Sequence, residues 1–332
     1  MVSRKQLAIM QLKKWFEIEK HPHKGPMLLE WVVIGYMVFT LLIILFCFTK
    51  VQHPEAMIWD RVKLGAITMA MWVVYRLIPC RVTRLLRVLM QLVMLSWWYG
   101  DTYQINRMLP NLDHVFASLE QQLFGFQPAL VFCEHFPQHW ISEILDMAYA
   151  SYFLLFVGTI VYYFFKRYDD FERCALVILA SFFSFYAIYD LLPVAGPMYY
   201  YHAVGIQKIA AGIFPNVADY FSTHTEMMKS PGYSDGIFYH LITDVHNAGE
   251  HPTAAFPSSH VGISVIALLM AGRARSKGLF FTLLPFVVLI CFATVYIRAH
   301  YAIDVLGGLI AAAAFYFLWN YIYSMTCKQK VQ

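Results

Sequence analysis

The chain is dominated by apolar stretches of membrane-spanning length. Eight such stretches lie at roughly 28–49, 63–79, 85–103, 142–165, 173–193, 257–272, 279–298 and 301–323. Each is close to the ~20 residues that a helix needs to cross the hydrocarbon core of a bilayer. Only 14% of the residues are charged, whereas an ordinary soluble domain has about 25%. The sequence therefore predicts an all-α, polytopic membrane protein with about eight transmembrane helices.

The distribution of lysine and arginine predicts the orientation of these helices. If the N-terminus is cytoplasmic and the spans alternate, 18 of the 25 basic residues fall on the inner side and 7 on the outer side. Cytoplasmic loops of membrane proteins carry such an excess. Both chain ends are therefore predicted to be cytoplasmic. Two long segments, 104–141 and 194–256, are predicted to form ordered caps on the extracytoplasmic face, because they are longer than simple connections and rich in Pro, Asn, Asp, His and aromatic residues.

The net charge of the chain excludes one class of partner. The formal charge is +4, and the basic residues mark membrane loops and do not form a stripe. A nucleic-acid-binding surface needs such a basic stripe or patch. No nucleic acid is therefore expected as a partner, and the sequence indicates no protein partner.

The motif Pro257-Ser258-Ser259-His260 opens the sixth apolar stretch. The first turn of a helix presents backbone N–H groups and the positive end of the helix dipole, which together favour a phosphate group. Ser258 and Ser259 can add hydroxyl donors, and His260 can donate a proton to a leaving oxygen. The motif is therefore a candidate phosphate site.

A second motif, Arg298-Ala299-His300-Tyr301-Ala302-Ile303-Asp304, opens the last apolar stretch. On a helix, His300 and Asp304 are four residues apart and share a face. A carboxylate beside an imidazole fixes its tautomer and leaves the other ring nitrogen free to act as nucleophile or base. Arg298 can pair with a phosphoryl group. Asp304 lies at the entrance of a span, where a charge needs a partner, and His300 is the nearest.

Either motif alone is weak, because an isolated interfacial histidine is usually an anchor. The two together, at the same membrane face and each at a span end, indicate one shared phosphate site. A metal site is the alternative interpretation for His240, Asp244, His246, Glu250 and His251. Their spacing fits no standard zinc site. The sequence therefore predicts neither a metal nor a cofactor.

The two motifs together resemble the second and third signature motifs of the type 2 phosphatidic acid phosphatase superfamily. Its members are integral-membrane, metal-independent enzymes with a six-helix core. By motif position, the resemblance implies that His300 is the nucleophile and forms a phosphohistidine, that Asp304 orients it, and that His260 is the general acid. It covers about residues 100–323. It implies a six-helix catalytic core at 81–325, with the two caps, preceded by 1–80 as an N-terminal cytoplasmic segment with two extra transmembrane helices.

The sequence departs from the common pattern of this superfamily. It contains no Arg-Pro pair, and Thr294 stands where an arginine is usual. The pattern from Tyr296 through Asp304, with Tyr301 after the nucleophile, is similar to the inositol phosphorylceramide synthase branch and its bacterial relatives. A loosely matching segment runs from Gly196 to Tyr200. This resemblance implies a phospholipid donor with a phosphoinositol-like headgroup and a ceramide-like lipid alcohol as acceptor.

Eight residues are predicted to contact the substrate. They are Ser258, Ser259, Arg298, Tyr296, Tyr199, Tyr200, His202 and Asp190. The tyrosine cluster at 199–201 is more typical of an interfacial aromatic belt, although tyrosines can also face a polyol headgroup. His202 can be a simple surface histidine, and Asp190 can be a span-end residue that reaches water.

The sequence favours the first of three functions, and the other two are the alternatives. The first is a lipid phosphotransferase, and the second is a lipid phosphate phosphatase that uses water at the same site. The third is a non-catalytic transporter, which would need polar residues along its spans. In each enzymatic case the active site is predicted on the extracytoplasmic face. A bacterial inner membrane is favoured, and a Golgi lumen is the alternative.

Overall fold

The computed structural model describes residues 15–20, 22–23 and 25–329. Every regular element within these residues is helical. The α-helices are α1 (Leu28–Phe46), α2 (Pro54–Leu77), α3 (Arg81–Asn106), α4 (Asp113–Phe124), α5 (Pro128–His135), α6 (His139–Ala150), α7 (Tyr152–Lys166), α8 (Phe171–Leu191), α9 (Pro197–Val204), α10 (Ile206–Ala210), α11 (Ile237–Gly249), α12 (Ser259–Arg273), α13 (Lys277–Tyr296) and α14 (Ala302–Gln329). The predicted all-α fold class agrees with these elements.

Several helices have the length and apolar character of membrane spans. In the described part of the chain, four segments qualify by themselves: α1, Tyr168–Leu191, α13 and Ala302–Cys327. Helices α6 and α7 qualify together as one bent span. The other predicted stretches are also helical, but α2 and α3 contain several charged residues and α12 has only 15 residues. The helices indicate an integral membrane protein. The count of about eight spans and the cytoplasmic chain ends, which lie outside the described residues, stay predictions.

The stretch predicted as one helix at 142–165 is two helices. Helices α6 and α7 meet at Ser151 and are bent by 44°. The Ser151 hydroxyl donates to the Ala148 carbonyl at 2.7 Å. Such back-bonding by serine competes with the helical ladder and bends helices. The single-helix prediction was therefore wrong at this point, and the break separates Tyr149 from Tyr152.

The described residues up to Trp98 form one compact unit. Buried polar side chains join its helices: Arg87 Nε donates to Glu30 Oε1 at 2.7 Å, and Arg61 Nε donates to the Thr40 hydroxyl at 3.2 Å. A buried charge is costly unless it is paired, so these contacts help to fix the helix positions. None of the predicted site residues lies in this unit.

Residues 99–332 form the second compact unit, which contains every predicted site residue. At its centre, α12 packs against α7, α8, α13 and α14. The contact with α14 requires Gly308, because a Cβ atom there would lie 2.5 Å from the Ser258 carbonyl oxygen. The Ser258 N–H donates to the Asp304 carbonyl at 3.0 Å. The starts of α12 and α14 therefore meet at one end of the unit. The assignment of 1–80 and 81–325 to two domains stays a prediction.

Candidate active site

The Pro-Ser-Ser-His motif forms the start of α12. Ser258 is the N-cap residue and is fully buried, and its side chain accepts a hydrogen bond from the Val261 N–H. This is the usual use of serine at a helix start. Tyr189 on α8 braces the motif from the side: its hydroxyl donates to the Pro257 carbonyl at 2.8 Å and accepts from the Ser259 N–H at 3.1 Å.

These contacts correct one part of the sequence prediction. The backbone N–H groups of the first turn were expected to be open to a phosphate. The Ser259 N–H is bonded to Tyr189, and the Val261 N–H is bonded to the Ser258 side chain at 3.4 Å. Two of these donors are therefore used inside the protein.

The second motif lies in a turn between α13 and α14. His300 precedes α14 and does not lie on it, so the expected helical spacing of His300 and Asp304 was wrong. Asp304 caps the helix, because its Oδ2 accepts from the Tyr301 N–H at 2.8 Å. The His300 Nδ1 still lies 3.6 Å from Asp304 Oδ2. The turn therefore places His300 and Asp304 close together, as the predicted helix would have done.

The imidazole of His300 is held by a backbone carbonyl. Its Nδ1 lies 2.8 Å from the Ala255 oxygen, which is closer than the Asp304 carboxylate. A carbonyl can only accept, so Nδ1 carries the proton and Nε2 presents its lone pair. The Nε2 atom faces His260 Nδ1 at 3.5 Å. The geometry thus leaves the lone pair of Nε2 facing a second imidazole.

His260 lies between tyrosine rings at the bend of α6 and α7. Its ring stacks on Tyr149, with centroids 4.6 Å apart, and lies 4.4 Å from the ring of Tyr152. The two tyrosines lie on opposite sides of the helix break. The break therefore lets both rings contact one imidazole.

Arg298 is attached to the neighbouring cap and does not point freely into the site. Its Nε donates to the Ala129 carbonyl at 3.3 Å and its Nη2 to Cys133 Sγ at 3.6 Å, both on α5. Its backbone has φ 64°, and the residue is 8% exposed. The Nε and Nη2 donors of Arg298, which the sequence prediction assigned to a phosphoryl group, therefore join α5 to the turn between α13 and α14. This turn contains His300 and is called the catalytic turn below.

The remaining predicted substrate residues lie in different surroundings. The Tyr296 hydroxyl donates to the Phe136 carbonyl at 3.3 Å, and the Tyr200 hydroxyl donates to the Pro215 carbonyl at 2.8 Å. His202 is exposed on α9, as expected of a surface histidine. Tyr199 is buried, and its hydroxyl has no hydrogen-bond partner among the described residues. Asp190 is buried next to Tyr189 on α8. The structure thus brings together His260, His300, Asp304 and Ser258, whereas Tyr200, Tyr296 and Arg298 bond elsewhere.

Asp113 on the cap helix α4 supports the catalytic turn and was missed from the sequence. Its carboxylate accepts from the N–H groups of Ala195 and Gly196, at 2.7 and 2.8 Å. It also accepts from the Tyr301 hydroxyl at 3.0 Å. Burial raises the pKa of Asp113 to about 6, against the effect of these hydrogen bonds.

Glu120, seven residues later on the same helix, supports the start of α14. Its Oε1 accepts from the Ala302 N–H at 2.5 Å. Burial raises the pKa of Glu120 to about 8. A spacing of seven residues on a helix puts two side chains on one face. The spacing of Asp113 and Glu120 therefore shows from the sequence that they share a helix face. It does not show that this face contacts Tyr301 and Ala302.

Removing the Tyr189 hydroxyl is expected to lower activity. In Tyr189→Phe, the Pro257 carbonyl and the Ser259 N–H lose their shared partner, and a lost hydrogen bond costs about 0.5–1.5 kcal/mol. We expect kcat/KM to fall roughly tenfold, since two bonds of that size hold the start of α12. Tyr163→Phe is the control. The Tyr163 hydroxyl, on α7, donates to the Met270 carbonyl at the other end of α12 at 2.8 Å. Equal loss in both variants would show general destabilisation of α12 instead.

The described residues include no cluster of three or more His, Cys, Asp or Glu side chains placed to hold a metal ion. The histidines and acids of segment 240–251 do not form one. The prediction of a metal-free reaction stays a prediction.

Comparison with known families agrees with this geometry. The sequence model of the PAP2 superfamily matches residues 114–318, more than half of the 332-residue chain. The match includes both motifs, cap helices α4 and α5, and most of α14. Comparison with curated proteins gives no match, and comparison with solved structures gives none. Members of this superfamily are generally phosphatases or phosphotransferases. The superfamily indicated by the two motifs is confirmed, and the chain belongs to the PAP2 superfamily.

Proposed function

We propose that this protein is a membrane lipid phosphotransferase that works through a phosphohistidine on His300. The observation that carries the proposal is the held imidazole: Nδ1 is fixed on the Ala255 carbonyl, and Nε2 is directed at His260. A nucleophile needs a free lone pair and a neighbouring acid for the leaving group. The Nε2 lone pair of His300 would be the nucleophile, and the imidazole of His260, whose Nδ1 lies 3.5 Å away, would be the acid.

In the first step, His300 Nε2 attacks phosphorus of a phospholipid donor. The bond from phosphorus to the diacylglycerol oxygen breaks. His260 enters this step protonated on both ring nitrogens, gives one proton to that oxygen and is left neutral. The phosphorylated headgroup is then attached to Nε2. The imidazole ring gains positive charge, which the Asp304 carboxylate stabilises from 3.6 Å.

In the second step, the acceptor hydroxyl gives its proton to His260 and attacks the same phosphorus. The bond to Nε2 breaks and His300 returns to its neutral form. With a ceramide-like alcohol as acceptor and a phosphoinositol-like headgroup, the product is an inositol phosphorylceramide. With water as acceptor, the same steps give a phosphatase, which is the alternative function.

The two imidazoles must separate when substrate enters. A reacting nitrogen lies about 3–3.5 Å from phosphorus before attack, and the acid lies about 2.6–3.2 Å from the leaving oxygen. The 3.5 Å between His300 Nε2 and His260 Nδ1 is too short for both. The phosphorus and its leaving oxygen must both fit between the two nitrogens, so binding of the donor includes a movement of one ring by several ångströms.

Burial of the site supports transfer over hydrolysis. His300 is only 4% exposed, and Asp304 is fully buried. A site closed to bulk water protects a phosphohistidine from hydrolysis until the alcohol arrives. The extracytoplasmic position of the site is part of this proposal, with a bacterial inner membrane favoured and a Golgi lumen as the alternative.

Product analysis tests the proposal. The protein in detergent is given phosphatidylinositol with a labelled headgroup, with and without ceramide. We expect a labelled sphingolipid with ceramide and little free inositol phosphate in either case. Release of free inositol phosphate at the same rate in both cases would contradict transfer and support the phosphatase. The His300→Ala variant is the blank.

The pH dependence of the reaction follows from the surroundings of His300. Burial lowers the pKa of His300 to about 4, although the Ala255 carbonyl and the Glu250 carboxylate act in the opposite direction. The nucleophile therefore stays neutral as pH falls through 6.5 and is protonated near pH 4. The burial of neutral His300 stabilises the fold above pH 6.5, and this contribution is lost towards pH 4.

We expect kcat/KM to show no loss from His300 protonation until the pH approaches about 4. Initial rates across pH 4–8, with the melting temperature measured at each pH, test this. An acid limb centred near the ordinary histidine value of about 6.5 in a folded protein would contradict it.

A further inference from the structure

A second polar cluster lies beside the catalytic histidines and has no role in the steps above. It consists of His246 on α11, Glu250 just after that helix, and Tyr99 on α3. The Tyr99 hydroxyl donates to Glu250 Oε2 at 2.9 Å. The Glu250 N–H donates to the His246 carbonyl at 3.2 Å, so the two side chains belong to one helix end.

The cluster is connected to the reaction site by two routes. The Tyr149 ring lies between imidazoles, 6.1 Å from His246 and 4.6 Å from His260. The chain also runs only five residues from Glu250 to Ala255, whose carbonyl holds His300. The Glu250 carboxylate favours the protonated form of His300 and raises its pKa, which agrees with a position close to that ring.

The His246 side chain keeps hydrogen-bonding capacity that the described residues do not use. His246 is 5% exposed, and its Nε2 has no hydrogen-bond partner among the described residues. Burial lowers the pKa of His246 to about 4, so this nitrogen belongs to a neutral ring. Glu250 is half-buried, and Tyr99 bonds to only one of its oxygens in the contact described. A buried polar atom without a partner is costly, so the His246 Nε2 atom calls for a partner from outside the described residues, such as a ligand or a water molecule.

The chemistry of this cluster selects among phosphate substrates. A carboxylate accepts hydrogen bonds from hydroxyl groups and repels a nearby anion. A phosphate monoester lipid has up to two negative charges and no headgroup hydroxyl. A phosphodiester lipid has one negative charge and can present hydroxyls from its headgroup. A carboxylate next to the phosphoryl position therefore favours the diester with a hydroxylated headgroup and disfavours the monoester.

We propose that Glu250 and His246 bind the hydroxyl groups of the donor's headgroup and so make the enzyme selective for polyol phosphodiesters over phosphate monoesters. This inference rests on the proposed phosphotransfer at His300. Glu250 accepts from a headgroup hydroxyl, and the neutral His246 Nε2 bonds a second hydroxyl. Tyr99 positions the Glu250 carboxylate and does not touch the substrate.

The test compares two donors in the same detergent. Values of kcat/KM are measured with phosphatidylinositol and with phosphatidic acid for the wild-type protein, Glu250→Gln and His246→Phe. We expect the ratio of the two values to move towards phosphatidic acid by roughly tenfold in Glu250→Gln, since the variant loses the charge but keeps the shape. Glu134→Gln, at an exposed position on α5, is the control and should leave the ratio unchanged.

An equal loss of kcat/KM with both donors in Glu250→Gln would show that Glu250 only supports the fold. Wild-type kcat/KM with both donors would show that Glu250 has no role. Each of these results overturns the inference. If the wild-type protein turns over phosphatidic acid but not phosphatidylinositol, the inference is overturned, and the result supports the phosphatase alternative. If wild-type protein turns over neither lipid, the proposed function fails instead.

A second measurement needs no variant. Soluble myo-inositol 1-phosphate should inhibit the wild-type enzyme at least roughly tenfold more strongly than inorganic phosphate, because only the former presents hydroxyls to this cluster. Equal inhibition by the two would contradict the inference even if the Glu250 and His246 variants do not fold.

Discussion

Replacing His300 by alanine is expected to abolish turnover of every phospholipid donor. The variant removes the only atom that forms the covalent bond in the proposed mechanism, Nε2, together with the ring held by the Ala255 carbonyl at 2.8 Å. Loss of a nucleophile from a hydrolase site costs on the order of 10⁴-fold or more in kcat. We expect a loss of this size in both transfer and hydrolysis.

The matched control for this prediction is His240→Ala. His240 is an exposed histidine on α11, so its removal changes composition in the same way without touching the site. Both variants should have wild-type yield and a similar melting temperature in detergent. A covalent phosphoryl adduct, trapped with labelled donor and measured by intact mass, should form in the wild-type protein and be absent in His300→Ala. Turnover that survives in His300→Ala, or an adduct that still forms in it, would contradict the phosphohistidine on His300.

The second large effect is expected at Gly196, which contacts the catalytic turn through its backbone. Gly196 has φ 95° and ψ 167°, a conformation that costs other residues about 1–3 kcal/mol. A Cβ atom there would lie 2.7 Å from the Ala299 carbonyl oxygen and 3.2 Å from Ala255 Cβ. Ala299 precedes His300, and Ala255 holds its ring. Gly196→Ala should therefore displace the nucleophile as well as destabilise the fold.

Gly205 offers a matched control for the backbone effect. It has φ 93°, but a Cβ atom there meets no other atom within 4 Å. Gly205→Ala should lower the melting temperature while leaving kcat per folded molecule unchanged. Gly196→Ala should lower kcat about 100-fold as well, since a displacement of about 1 Å at a reacting group costs that much. Normal kcat per folded molecule in Gly196→Ala would show that the catalytic turn tolerates the shift.

The membrane class and the superfamily were visible in the sequence because both depend on local patterns. Apolar stretches predict helices wherever they are long enough, and the structure has a helix at each of the eight. The motifs around His260 and His300 are short and contiguous, so their family could be recognised without knowing the fold. The break at Ser151 was missed, because an apolar run looks the same whether its helix is straight or bent.

The partners of the site residues could not be predicted in the same way. Asp113 and Glu120 lie far along the chain from Tyr301 and Ala302, and nothing local to either segment indicates that they meet. Arg298 was assigned to a phosphoryl group by its distance in sequence from His300. The sequence did not indicate that two nitrogens of its guanidinium bond to α5, about 165 residues earlier in the chain; the contact with a phosphoryl group stays a prediction.

The sequence by itself thus determined a helical membrane protein of the PAP2 superfamily and the identity of the histidines and aspartate that meet at its site. Only the tertiary structure decided which nitrogen of His300 is free, because the carbonyl that holds its Nδ1 belongs to Ala255, 45 residues away. It also decided that Asp304 acts first as a helix cap and that Glu250 and His246 lie beside the site. The physical reason is that hydropathy and short motifs act along the chain, whereas hydrogen bonds at a buried site join segments that only packing brings together.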